Sequence, residues 1–133
     1  MVDASVATST AVDVDAFHVE AMAWWRRVHG EDRPVHAPSI LVSEVAAAVG
    51  RRTGSAQLAR AVIEQLTSDT KLVLVDCDIA LCTRAAELAS DLGLRGCDSL
   101  YVALAERLGE PLITFDGEQL TRGAAVITVL RPE

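Results

Sequence analysis

Four carboxylates stand where the sequence offers them little support. Glu44 is the only charged residue between Pro38 and Arg51, and its neighbours at helical spacing, Ile40, Leu41, Ala47 and Ala48, include no cation. Asp3 is enclosed by Val2, Ala4, Val6 and Ala7, and Asp98 opens an apolar stretch carrying Tyr101, Leu104 and Ala105. Asp116 ends the run Pro111–Phe115 (PLITF). Burying a lone carboxylate is costly unless a partner compensates it. Converging carboxylates with oxygen-only ligands and no Cys or His suit Mg²⁺ or Mn²⁺. Ser5 and Thr114 stand two residues from Asp3 and Asp116, where their hydroxyls could orient a carboxylate or a metal-bound water. Taken singly, each acid has a plainer reading. Asp98 would serve as a helix N-cap, Asp116-Gly117 as a turn, Asp3 as an exposed residue near a frayed end, and Glu44 as a side chain reaching solvent.

The elements that must position these acids follow from hydrophobic periodicity. Met1–Thr8 is Val/Ala-rich and reads as the end of a short buried strand. From Asp15, Phe17, Ala21, Trp24, Trp25 and Val28 recur at helical spacing until Gly30 and the stretch Glu31-Asp32-Arg33-Pro34. Val35–Pro38 reads as a second short strand. Ser39 then stands as the N-cap of a helix through Ile40, Leu41, Val45, Ala48 and Val49, which stops at Gly50. Thr53-Gly54-Ser55 opens the next helix. Lys71–Val75 is a continuous aliphatic run, expected to be a strand buried on both faces. Asp78–Leu92 and Asp98–Leu108 are predicted helices closed by Gly93 and Gly109. Pro111–Phe115 and Ala124–Leu130 are predicted strands. Short aliphatic strands alternating with helices predict a single α/β domain over 1–133, three-layered, with a mainly parallel central sheet flanked by helices. In such a sheet ligands bind at the carboxyl ends of strands, which is where Asp3 and Asp116 fall.

Composition narrows the possibilities. The chain has 133 residues, too few for a barrel enzyme, and half of them are hydrophobic, enough for a core without staples. The three cysteines, Cys77, Cys82 and Cys97, have neither framework nor zinc spacing. No signal peptide and no run of about 18 apolar residues is present, so a cytoplasmic protein without a membrane span is expected. A net charge of −7 with Lys71 as the only lysine argues against broad affinity for nucleic-acid backbone.

Taken together, Val2-Asp3-Ala4-Ser5-Val6, Pro38 through Ser43-Glu44-Val45, Gly96-Cys97-Asp98-Ser99-Leu100-Tyr101-Val102-Ala103-Leu104-Ala105-Glu106 and Leu112-Ile113-Thr114-Phe115-Asp116 make the chain resemble a PIN-domain ribonuclease. The resemblance is to the VapC-like toxins of bacterial and archaeal toxin–antitoxin pairs, and it spans nearly the whole chain. It implies that Asp3, Glu44, Asp98 and Asp116 bind one or two divalent metals for endoribonuclease hydrolysis of RNA, with Ser5 and Thr114 in support. It further implies a homodimer and a small VapB-like antitoxin as partner. The family has several apolar residues before its first Asp, whereas only Met1 and Val2 precede it here, so that strand is expected to be clipped or the start of the chain trimmed. The rival expectation is a PIN-like scaffold that binds metal or a partner without cutting.

Other constellations fail. Leu72–Asp78 ends in Asp76-Cys77-Asp78, the strand-then-Asp-x-Asp pattern of haloacid-dehalogenase phosphatases, but no lysine follows Lys71 and too little chain remains for that fold. A receiver-like phosphoacceptor domain fails for the same missing lysine. There is no nucleophile elbow and no Gly-rich phosphate loop. Arg26-Arg27 and Arg51-Arg52 are the densest basic spots, read first as solvated helix ends and second as RNA contacts. Trp24-Trp25 is expected in the core or at a partner-facing surface.

Overall fold

The computed structural model describes residues 1–31 and 33–133; Asp32, expected in the stretch that ends the first long helix, lies outside the described residues. In chain order the elements are α1 (Ala4–Ala11), α2 (His18–Gly30), β1 (Val35–Pro38), α3 (Leu41–Thr53), α4 (Ala56–Ser68), β2 (Leu72–Val75), α5 (Ile79–Leu92), α6 (Gly96–Leu108), β3 (Leu112–Ile113), α7 (Gly117–Arg122) and β4 (Val129–Leu130), with a 3₁₀ turn over Gly123–Ala125. This is the expected α/β architecture, and every strand pair named below is parallel.

The sheet is assembled in two halves. β1 pairs with β2, from Val35 opposite Leu72 to Pro38 opposite Val75. β3 pairs with β4. The first residues of the chain join the halves. Val2 donates to the carbonyl of His36 at 3.0 Å, Asp3 donates to Ile113 at 3.1 Å, and Ile113 donates to Met1 at 2.9 Å. Val2 is wholly buried. The expected strand end therefore exists as a stub, and it is followed at once by α1, which the sequence reading had not separated from it. Asp3 caps that helix through Oδ1, accepting from Ser5 N–H at 2.9 Å and Val6 N–H at 3.4 Å.

Helices cover the sheet with a core of Ala, Val and Leu. α1 packs on α2 and α3, α3 on α4, α5 on α6, and α6 lies against β1 and β3. α6 is the central helix: Tyr101, Val102, Ala103, Leu104 and Ala105 are all buried. Leu41, Val45 and Val49 of α3 and Leu81, Ala85 and Leu88 of α5 supply the facing stripes. Trp24 is buried in the same core. No described helix is long and apolar enough to cross a membrane.

Five expectations are corrected. The helix expected to stop at Gly50 runs on to Thr53 and is closed by Gly54. Ser39 is not the cap of α3: the capping position is Ile40, and Ser39 gives its N–H to the Val75 carbonyl at 2.8 Å, tying it to the end of β2. The run at Lys71–Val75 is not buried on both faces, since Val73 is 40% exposed. The last predicted strand shrinks to Val129–Leu130, since Gly123–Ala125 turns as 3₁₀. Asp98 is not an N-cap; Arg95 holds that position and Asp98 lies inside α6.

Candidate functional site

Each acid is carried by a different piece of chain. Asp3 follows the central strand stub, Glu44 lies in the first turn of α3, Asp98 in the first turn of α6, and Asp116 caps α7 beyond β3. All four line one cleft of about 440 Å³, together with Ser5, Thr8, Cys97, Tyr101 and three arginines, Arg51, Arg52 and Arg95.

Asp3 is 3% exposed, and its near contacts are donors that bring no charge. Ser5 Oγ donates to Oδ1 at 2.5 Å, and Gln119 Nε2 donates to Oδ2 at 2.9 Å. Burial pushes this carboxyl up to about 6, with the hydrogen bonds from Ser5, Thr114 and Val6 opposing that rise. Ser5 Oγ also accepts the Phe115 N–H at 2.9 Å and lies 3.4 Å from Thr114 Oγ1. Thr114 Oγ1 in turn accepts the Asp116 N–H at 2.9 Å. The two hydroxyls thus stitch the Asp3 turn to the Asp116 turn.

Glu44 finds its support on another helix. Tyr101 Oη donates to Glu44 Oε2 at 2.5 Å, from a side chain that is 1% exposed. Burial, and then the charge of Glu44, hold the phenol well above its ordinary range, so it stays protonated and donating. The Cys97 thiol is pushed up by burial and then by Glu44. Asp98 and Asp116 share Arg95, whose Nε donates to Asp98 Oδ2 at 2.6 Å and whose Nη2 donates to Asp116 Oδ2 at 3.2 Å.

Two residues bonded to these acids escaped the sequence reading. Arg95 stands just ahead of Asp98, in a position read as a loop. Gln119 lies on α7, a helix of six residues, too short for periodicity to show. It is 1% exposed, and its Oε1 has no hydrogen-bond partner. A buried carbonyl oxygen left unpaired costs about 1–3 kcal/mol. The acids therefore keep a buried polar neighbour that packing alone would not select.

As placed, no three acid, histidine or cysteine side chains among the described residues stand close enough to hold an ion. The Arg95 guanidinium bridges Asp98 and Asp116, and the Gln119 amide bridges Asp3 and Asp98. The donor set itself is hard oxygen from four carboxylates, which fits Mg²⁺ or Mn²⁺. Arg95 is 73% exposed.

The family model for the PIN domain matches residues 1–124. No curated protein matches the chain. Among solved structures the chain is similar to VapC20 of Mycobacterium tuberculosis, a sarcin-ricin-loop-cleaving toxin, with a TM-score of 0.80 and 21% identity over 98% of both chains. At that identity the likeness speaks to the fold.

Proposed function

Because the chain belongs to the PIN-domain family, we propose that it is a divalent-metal-dependent endoribonuclease, the toxin of a toxin–antitoxin pair acting in the cytoplasm. The observation that carries this reading is the convergence of Asp3, Glu44, Asp98 and Asp116, from four separated stretches, on one cleft. Asp3, Asp98 and Asp116 would hold the main ion, with Glu44 helping there or at a second one. Mg²⁺, when bound, supplies the charge that activates a water and screens the phosphate in the transition state.

The remaining work falls to the chain's own groups. Ser5 orients Asp3 Oδ1, Thr114 fixes the backbone of Asp116, and Tyr101 aims the Glu44 carboxylate. Arg51 and Arg52, on the face of α3 that follows Glu44, meet RNA phosphates beside the cut. Arg52 already pairs with Asp15. A homodimer bound by a small antitoxin, whose own arginine enters the acidic cleft, completes the reading.

The test is cleavage of total RNA by the wild type and Asp116→Asn, with Mg²⁺ and with EDTA. Mg²⁺-dependent cleavage that vanishes in the variant, with an unchanged circular-dichroism spectrum, supports the enzyme. A variant that cuts at the wild-type rate overturns the assignment. The pairing of Arg95 with Asp98 and Asp116 favours the second reading, a non-catalytic scaffold whose acids are internally neutralised. Absence of cleavage with any divalent metal selects it.

A further inference from the structure

Gln119 touches three of the four acids. Its backbone N–H donates to Asp116 Oδ1 at 2.9 Å, and its Nε2 donates to Asp3 Oδ2 at 2.9 Å and, over a longer 3.5 Å, to Asp98 Oδ1. The side chain is 1% exposed, and its orientation is dictated by the acids. The reverse orientation would set Oε1 against two carboxylates, so Oε1 points away and stays unpartnered. An apolar residue here would spare the unpaired Oε1 but strip Asp3 Oδ2 of its amide donor, so the amide matters for what it touches.

Building on the reading that these acids receive a divalent cation, we propose that Gln119 is a positioning residue of the cleft. Its amide bridges Asp3 and Asp98, while its backbone fixes Asp116. Chemistry explains the residue type. A lysine or arginine here would neutralise the acids and compete with the cation. A carboxylate would add repulsion to a pocket that already crowds charge. An aliphatic side chain would leave Asp3 and Asp98 to drift apart. An amide donates to both carboxylates without changing the net charge, so the pocket keeps its pull on a cation and its geometry is set in advance.

The experiment titrates Mn²⁺ calorimetrically into the wild type, Gln119→Met and Gln119→Leu, with thermal melts in EDTA and in Mn²⁺. The two variants lack the amide but differ in shape, so one folded variant suffices. Mn²⁺ binding is expected to weaken about 10- to 100-fold, the usual cost of losing a group that orients a metal ligand. The metal-free melting temperature should fall, because Asp3 Oδ2 loses its buried donor. A merely structural glutamine would lower that melt in the same way but leave wild-type Mn²⁺ affinity, and that affinity overturns the proposal alone. Failure of the wild type to bind Mn²⁺ overturns the four-acid reading and this proposal with it.

Discussion

Asp3→Asn should make the metal-free protein more stable while removing its activity. Asp3 is 3% exposed and no cation touches it, so its ionised form is poorly compensated. Its pKa lies at about 6 in the fold against 3.8 for a solvated aspartate. At about 1.4 kcal/mol per pH unit, keeping it ionised costs the folded state about 3 kcal/mol. The sign follows from proton binding. The folded chain holds this proton more tightly than the unfolded chain, so its contribution is complete below pH 3.8 and is lost as pH rises through about 6.

Asparagine removes that cost and keeps an oxygen for the Ser5 and Val6 N–H groups, since it caps helices as well as aspartate does. Its new amide would face Gln119, whose own amide can turn over and present the oxygen that now has no partner. The expected gain at pH 8 in EDTA is about 3 kcal/mol, or roughly 10 °C in melting temperature for a domain of this size. The gain should shrink toward zero near pH 4. Urea unfolding of both proteins between pH 4 and pH 8 measures it. Added Mg²⁺ should then raise the wild type more than the variant, by mass action. A variant no more stable than wild type at pH 8 in EDTA would refute the claim that Asp3 is a buried, uncompensated charge.

Arg95→Gln removes the internal counter-ion of Asp98 and Asp116. Because the Arg95 side chain is largely exposed, its pairing is worth at most about 1 kcal/mol, so Mn²⁺ should bind up to about fivefold more tightly by calorimetry; unchanged or weaker binding would remove Arg95 from competition with the ion. Tyr101→Phe keeps the volume of a buried ring but loses the hydrogen bond to Glu44. A bond to a charged group contributes about 1.5–3 kcal/mol, so a thermal melt should fall by several degrees, and an unchanged melt would mean that Glu44 is held otherwise.

α5 and α6 were legible because they announce themselves twice, by apolar spacing and by the glycine that ends them. Gly93 and Gly109 adopt φ near +65° there, a conformation that side chains with a Cβ resist, whereas α3 runs through its expected stop at Gly50 and ends at Gly54. α1 was not legible: its eight residues are Ser, Thr, Ala and Val, and its cap is the same Asp3 that chemistry claimed. The acids themselves were visible because carboxylates in apolar surroundings are costly. Their partners were not. Tyr101 meets Glu44 across 57 positions and Gln119 meets Asp3 across 116, distances over which spacing carries no signal. Ser39 misled because a serine after a proline looks like a cap, yet its backbone is claimed by the β2 terminus.

The bond between Gln119 and Asp3 also governs when the cleft comes into being. It joins residues 116 positions apart, and the Asp3 backbone is itself anchored on Ile113. A ribosome making this chain would release Asp3 and Glu44 well before β3 and α7 exist to receive them. On the proposed reading, the nascent polypeptide would lack the assembled acids until α7 has emerged. A truncated or stalled product would carry three of the four acids and no working arrangement of them. Long-range closure of this kind folds slowly, and here that slowness would delay the appearance of activity.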